Sequence, residues 1–172
     1  ALYNYGLIYM DTDVEVLKSL DDLLHLPAFS GYESNKYSNF PTGLMASAAG
    51  GVWVREQLDY YKDVHFINGD GTYNLTTNTE TISGIMKKNG FELNGKYQVY
   101  KNDMHCFPSE YFCPMTSTRL LKITENTYCI HHFAGSWKQK TTLQPLKEFV
   151  FYKIFGAKLT DFLVRIKRKM IK

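Results

Sequence analysis

The sequence predicts an α/β domain built around a mixed sheet, and three observations lead there. Short apolar runs such as Leu7 to Met10 have strand length and end abruptly in polar residues. Segments with helical spacing lie between them, at Val52 to Tyr61 and at Thr81 to Asn89. Gly, Pro and Asn-Gly steps punctuate the two kinds of segment, and helices alternating with short strands favour an α/β arrangement. The 172 residues suit one domain, and 44% hydrophobic residues supply a sizeable core.

Leu7 to Met10 reads as a buried strand stopped by Asp11, and the β-branched Val14 and Val16 extend the chain beyond it. Ser19 then opens a short helix with Asp22 as its reciprocal capping partner, and Pro27 ends it. Phe29 to Glu33 fits another short strand, Pro41 and Gly43 mark a turn, and Leu44 to Ala49 is apolar and rich in small residues. Val54, Leu58 and Tyr61 form the predicted packing stripe of the next helix. Asn68-Gly69-Asp70-Gly71 is a turn. The helix over Thr81 to Asn89 buries Ile82, Ile85 and Met86 and closes on Gly90. Asn94-Gly95, followed by the Tyr97 and Val99 alternation, predicts a hairpin turn, whereas Phe107 to Pro114 reads as irregular. Thr127 to Phe133 is strand-like. From Leu146 apolar residues recur with helical spacing, interrupted at Gly156.

Aromatic residues are frequent, with 13 Tyr and 11 Phe. Such a composition serves either sugar-facing surfaces or an aromatic core. Cys106, Cys113 and Cys129 form no C-x-x-C and no paired framework, which points to a reducing compartment. No apolar run reaches bilayer-spanning length and no charged leader precedes one. The chain enters an apolar run at once, so residue 1 is expected to lie inside a domain whose beginning is missing.

Asp11-Thr12-Asp13 is the first candidate site. Extended backbone has a period of two, which sends both carboxylates to one side. Two adjacent carboxylates repel unless a cation joins them. Mg²⁺ and Mn²⁺ take such oxygen ligands and share them with water and substrate phosphates, where the ion acts as a Lewis acid. The same tripeptide also occurs as solvated turn acids. Glu15 falls on the side of the aspartates by alternation; a third ligand, a supporting acid and a salt-bridge partner are all open, and a residue without a role in the site is preferred.

The second candidate is the stretch from Ile130 to Trp137. Neighbouring strand residues point oppositely, so only one of His131 and His132 can face a given site. Imidazole suits Mn²⁺. Gly135 and Ser136 would let backbone N–H groups approach a phosphate, and Trp137 could close over a ribose or pyranose ring. Asn78, Thr79 and Glu80 suit sugar hydroxyls or simply a helix start. Glu110 reads as a loop acid, and His25, His65 and His105 have no ligand spacing. No serine or cysteine has the setting of a nucleophile.

Tyr5-Gly6-Leu7-Ile8-Tyr9-Met10-Asp11-Thr12-Asp13-Val14-Glu15-Val16, with Leu17 to Leu24, resembles the "DXD sugar-binding region" of glycosyltransferase family thirty-two. Thr127 to Trp137 resembles the C-terminal motif of its bacterial capsular and exopolysaccharide members. The resemblance covers residues 1–140. It implies a GT-A-like nucleotide-diphospho-sugar transferase fold, here partial, that is metal-dependent and retains anomeric configuration. It assigns Asp11, Asp13 and Glu80 to catalysis, and Asp11, Asn78, Ser136 and Trp137 to a UDP- or GDP-sugar donor. The metal, Mn²⁺ or Mg²⁺, falls to Asp13 and to His132, the histidine three residues before the motif glycine. Leu7 stands where the family usually has a second glycine, and the family's front portion has no counterpart here.

Two parts are thus expected, a catalytic portion over 1–145 and a tail over 146–172. The tail carries eight Lys or Arg against Glu148 and Asp161, a net of +6; with +3 for the whole chain, residues 1–145 hold −3. An apolar stripe on a cationic helix suits an anionic membrane surface, which would place the protein in the cytoplasm at the inner face of the cell membrane. There it would meet a saccharide or lipid-linked saccharide acceptor. Packing on the parent domain and contact with a partner are the other readings of the tail. Nucleic acid is not an expected partner, because the basic run from Arg165 to Lys172 carries no aromatic residue and no reading module is present. The competing reading of the chain is a non-catalytic carbohydrate-binding or degenerate interaction module, and a hydrolase is disfavoured because no acid pair with placed partners is found.

Overall fold

The computed structural model describes residues 1–34, 40, 41, 43–115 and 121–134. The amphipathic tail, Ser136 and Trp137 lie outside the described residues.

A single helical turn, α1 (Leu2–Tyr5), leads into β1 (Leu7–Met10), followed by β2 (Val14–Val16). Gly6 joins α1 to β1 at φ +63°, and a Cβ there would stand 2.5 Å from the Ala49 nitrogen. Both the left-handed backbone and the close approach demand glycine. A 3-10 turn (Asp21–Leu23) then precedes β3 (Ala28–Gly31) and β4 (Leu44–Ser47). Ser19 Oγ accepts from the Asp21 N–H at 3.1 Å and so organises the turn, but the expected capping box with Asp22 does not form, because Leu20 stands at the N-cap with no side-chain cap bond.

Helices α2 (Val52–Tyr61) and α3 (Asn78–Lys88) follow, then β5 (Gln98–Tyr100), β6 (Met104–Phe107), the short α4 (Ser109–Phe112) and β7 (Cys129–His131). Helix α3 begins three residues before the predicted start. Thr77 caps it in a capping box, accepting from the Glu80 N–H at 3.3 Å while Glu80 Oε2 accepts from the Thr77 N–H at 3.4 Å. Gly90 takes φ +86° just past its end, as expected of a terminating glycine.

Five strands form the main sheet in the order β1-β4-β3-β6-β5, and β2 pairs with β7 in a second, two-stranded sheet. β3 runs parallel to β6, and the other pairs of the main sheet are antiparallel. The domain is therefore α/β with a mixed sheet. β3, central and buried along its whole length, carries only Ala, Phe, Ser and Gly. Its alternate residues feed two cores. Ala28 faces one with Phe40, Trp53, Ile82, Met86 and Met104, while Phe29 faces another with Leu44, Phe107, Phe112, Tyr128 and Cys129. Among the described residues the aromatics divide between these cores and the surface, where Tyr5, Tyr9, Tyr61, Phe66, Tyr73 and Tyr97 are exposed. All three cysteines are buried and form no disulfide.

Several expectations change. β1 is not a buried strand but the edge of the main sheet, with Leu7 53% and Tyr9 51% exposed, and Phe107 to Pro114, read as irregular, holds the end of β6 and the helical turn α4. The β5–β6 hairpin turns at Lys101 and Asn102, both at positive φ, rather than at Asn94-Gly95. Non-glycine residues rarely adopt that conformation, so the turn carried no signature. In α2, Trp53 and Val54 are buried, but Leu58 and Tyr61 remain 47% and 43% exposed. The helix packs through its first turn, and its second half borders a surface groove.

No helix among the described residues is long and apolar enough to cross a membrane.

Candidate metal centre

Asp11 and Asp13 sit on the tight connection between β1 and β2. The Asp11 N–H still bonds to the Gly43 carbonyl at 2.7 Å, continuing the β1–β4 ladder, and the Val14 N–H then folds back to the Asp11 carbonyl at 3.1 Å. A turn, rather than strand alternation, brings the two carboxylates together. Beneath them lies His131, the last residue of β7, placed directly opposite Val14 by the β2–β7 pairing.

His131 Nε2 lies 3.3 Å from Asp13 Oδ1 and 3.6 Å from Asp11 Oδ2. One ligand atom from each of the three residues lies within 4.8 Å of the others. The remaining oxygen of each carboxylate is already held. Tyr9 donates its phenol to Asp11 Oδ1 at 2.6 Å, and the Ala134 N–H donates to Asp13 Oδ2 at 2.7 Å. A second tie, from the His132 N–H to the Asp13 carbonyl at 3.0 Å, fixes the strand end against the turn. Each acid therefore presents one free lone-pair oxygen toward the imidazole, with its orientation set by a neighbour. The hydrogen bond to Asp11, aided by burial and by the negative charge of Asp11 and Asp13, pushes the Tyr9 phenol up to about 12. Tyr9 thus stays a donor at neutral pH.

Space at the cluster is reserved by Gly43. A Cβ at this position would stand 2.8 Å from Asp11 Oδ2 and 3.1 Å from His131 Cε1. The His131 ring is buried and packs on Phe133 with 4.2 Å between ring centroids. Its Nδ1 is buried with no hydrogen-bond partner among the described residues.

These features test the fit of a divalent cation. Two carboxylate oxygens and one imidazole nitrogen form a donor set for a first-row dication, and the imidazole favours Mn²⁺ over the oxygen-seeking Mg²⁺. Two carboxylates turned toward one ring nitrogen form a cluster whose negative charge a dication would neutralise. A metal on Nε2 leaves the proton on Nδ1. Metal-bound histidines usually donate that proton to a partner, and the described residues supply none. Charge, donor identity and room fit; the outer support of the imidazole is the one element not provided.

The structure arranges the sequence-derived candidates differently from the family resemblance at three points. His132, assigned to the metal, instead points the opposite way from His131 and meets Glu15, with Nε2 2.8 Å from Oε2. Strand alternation in β7 forces this separation, and the β2–β7 register decides which histidine faces the aspartates. Glu15 is accordingly the partner of His132 and no member of the cluster. Glu80 is an exposed capping carboxylate of α3. Asn78, the first residue of α3, bonds through Oδ1 to the Thr79 N–H at 2.8 Å and lines a cavity beside β1.

Tyr9, Gly43 and Ala134 complete the site but were not among the sequence candidates. Tyr9 was findable, since it precedes Asp11 by two residues on the same strand. Gly43 and Ala134 reach the site through strand pairing, for which the local sequence carries no signal.

Comparison of the chain with protein-family models, with curated proteins and with solved structures finds no match. What the molecule itself establishes is an α/β domain in which Asp11, Asp13 and His131 form a cluster able to hold a divalent cation.

Proposed function

We propose that this chain carries the metal-dependent donor site of a glycosyltransferase, with Asp11, Asp13 and His131 as the residues that would hold Mn²⁺ or Mg²⁺. The observation that carries the reading is the convergence of two oriented carboxylates and one buried imidazole at the end of β1. The motif from Tyr5 to Val16, which resembles that of glycosyltransferase family thirty-two, supplies the reaction class.

When bound, the cation would neutralise charge on the diphosphate of a UDP- or GDP-sugar. The chain's own residues do the rest. Tyr9 and the Ala134 N–H hold the aspartates so that one oxygen of each faces inward. Gly43 keeps that inward space clear. The Phe133 ring, stacked on His131, covers the imidazole. In the proposed reaction a sugar passes from the nucleoside diphosphate to a hydroxyl of a saccharide or lipid-linked saccharide acceptor with retention of anomeric configuration, as in capsular or exopolysaccharide synthesis. A GT-A-like arrangement and contact of the 146–172 tail with the inner face of the cell membrane belong to the same proposal.

A second reading, a cation-dependent saccharide-binding module without turnover, is favoured by one observation. Glu80, the further carboxylate assigned to catalysis, is spent on a helix cap.

Calorimetric titration of UDP, GDP and their hexose conjugates with and without Mn²⁺ tests the proposal. Binding that requires Mn²⁺ and disappears in Asp13→Ala is the expected result. Equal binding in chelator overturns it. Sugar transfer in the full-length protein separates the enzyme from the binding module.

A further inference from the structure

Along the outer edge of β1 runs a cavity of about 500 Å³. Its walls include Tyr9, Gln57, Leu58, Tyr61 and Asn78. A second cavity of about 220 Å³ lies between the end of α2 and the following loop, lined in part by Tyr60, Tyr61, His65 and Phe66. Tyr61 borders both. Tyr9 in turn donates to Asp11 of the candidate metal centre. Through Tyr9 and Tyr61 the carboxylate cluster, the larger hollow and the smaller hollow are thus neighbours, in a track that ends at Phe66.

The far end of this track is built rather than frayed. Phe66 and Tyr73 stack with 5.1 Å between centroids and 17° between planes, yet they are 63% and 61% exposed. The loop that presents them is held by a backbone bond from the Asn74 N–H to the Phe66 carbonyl at 2.7 Å. Asn68 and Thr72 are tied by a bond from the Asn68 N–H to the Thr72 carbonyl at 2.8 Å. Asp70 accepts from both the N–H and the hydroxyl of Thr72. A pair of rings fixed in a tight hairpin and left open to water is a surface prepared for an apolar face.

Apart from His65 and Ala1, the residues lining the two cavities carry phenols, a phenyl ring, amides, hydroxyls and apolar chains, with no carboxylate, lysine or arginine side chain among them. Neutral phenol and amide groups interleaved with aromatic faces suit a ligand with hydroxyls at its rim and C–H bonds on its flats. Anionic lipids and nucleic acids would need lysines or arginines, and none lines either cavity.

We infer that this track is a binding groove for a neutral oligosaccharide, which enters over the Phe66–Tyr73 stack, passes Tyr61 and Asn78, and presents a terminal hydroxyl at the Tyr9 end. The inference rests on the reading of the carboxylate cluster as a sugar-transfer site and adds the acceptor side to it. Tyr61 is the hinge of the groove, because its ring is shared by both segments.

The experiment uses the whole 172-residue chain with ¹³C-labelled Tyr and Phe. Maltohexaose, cellohexaose and mannohexaose are titrated in separate arms while the aromatic resonances are followed. At least one hexasaccharide is expected to shift the rings of Tyr61, Phe66 and Tyr73. Tyr61→Ala and Tyr73→Ala are each expected to weaken its binding by about tenfold, with far-ultraviolet dichroism unchanged. Tyr61→Phe, which keeps the ring, retains most of the affinity and guards against a folding artefact. Absence of ring shifts with all three sugars, shifts that persist in both alanine variants, or self-association that buries these rings in place of sugar binding would each overturn the inference. Because the hexasaccharide shifts are read in chelator and in Asp13→Asn, their loss is distinguishable from loss of Mn²⁺-dependent nucleotide binding.

Discussion

Gly43 and His131 are packed so that a single added carbon at position 43 would lie 3.1 Å from the imidazole Cε1, and at the same time 2.8 Å from Asp11 Oδ2. The contact links the beginning of β4 to the end of β7 across the two aspartates. Gly43→Ala must displace a carboxylate or the ring while leaving both cores untouched. Mn²⁺ affinity is expected to fall by about ten- to a hundredfold, the range for disturbed ligand support. Thermal stability should change little, and isothermal titration with Mn²⁺ beside a melting curve measures both.

The two adjacent histidines allow a sharper comparison. His131 is buried beside the carboxylates, whereas His132 is half-buried and pairs with Glu15. His131→Ala is expected to abolish the rise in Tm that saturating Mn²⁺ produces, a gain of about 2.7 kcal/mol at a hundred times Kd. His132→Ala should preserve that gain and shift the metal-free protein by no more than about 1 kcal/mol, as exposed ion pairs do. The reverse pattern would return the ligand role to His132. Adding chelator to the Mn²⁺-loaded native protein should bring Tm back to its metal-free value and leave the Tm of His131→Ala unchanged.

That pair of neighbours also shows where the sequence stops being informative. Alternation alone says that His131 and His132 diverge; the register that sets Val14 opposite His131 decides which one meets the aspartates. β1 and α2 were legible to the residue, because an apolar run meeting Asp11 and the glycines before Val52 are local signals. The parallel pairing of β3 with β6 joins Ala28 to Met104 across most of the described chain, and no local pattern encodes it. Lys101 and Asn102 turn the chain at positive φ without a glycine to announce it. The aspartates were legible as a pair, but their geometry comes from the turn, the Tyr9 phenol and the Ala134 N–H.

Glu80 offers a test of structure against the role the family resemblance assigns it. Its carboxylate closes the capping box with Thr77 and sits in the first turn of α3, where the helix dipole favours an anion. Glu80→Ala is expected to cost about 0.5–1 kcal/mol, and Thr77→Ala about 1 kcal/mol. Mn²⁺ affinity should be unaffected by either. Chemical denaturation gives the stability change. A loss of nucleotide-sugar turnover in Glu80→Gln without loss of stability would instead give this residue a place in the chemistry.

Alkaline stability follows from two buried phenols. Burial, first, raises the Tyr32 phenol far above its ordinary value of 10.0, and a bond from its hydroxyl to the Glu92 carbonyl at 2.9 Å leaves it no route to water. Tyr100 is raised in the same direction, by burial and then by its 2.9 Å bond to Glu56. In the unfolded chain both phenols lose their protons near pH 10. The folded state keeps them protonated to higher pH, so the unfolded state binds fewer protons above 10 and folding stability declines as pH rises. The contribution is fully present below pH 10 and disappears progressively above it. Urea denaturation midpoints across this range should therefore fall in the native protein. Tyr32→Phe and Tyr100→Phe should each flatten that fall, and a slope identical to the native one in both variants would assign the alkaline loss to other groups.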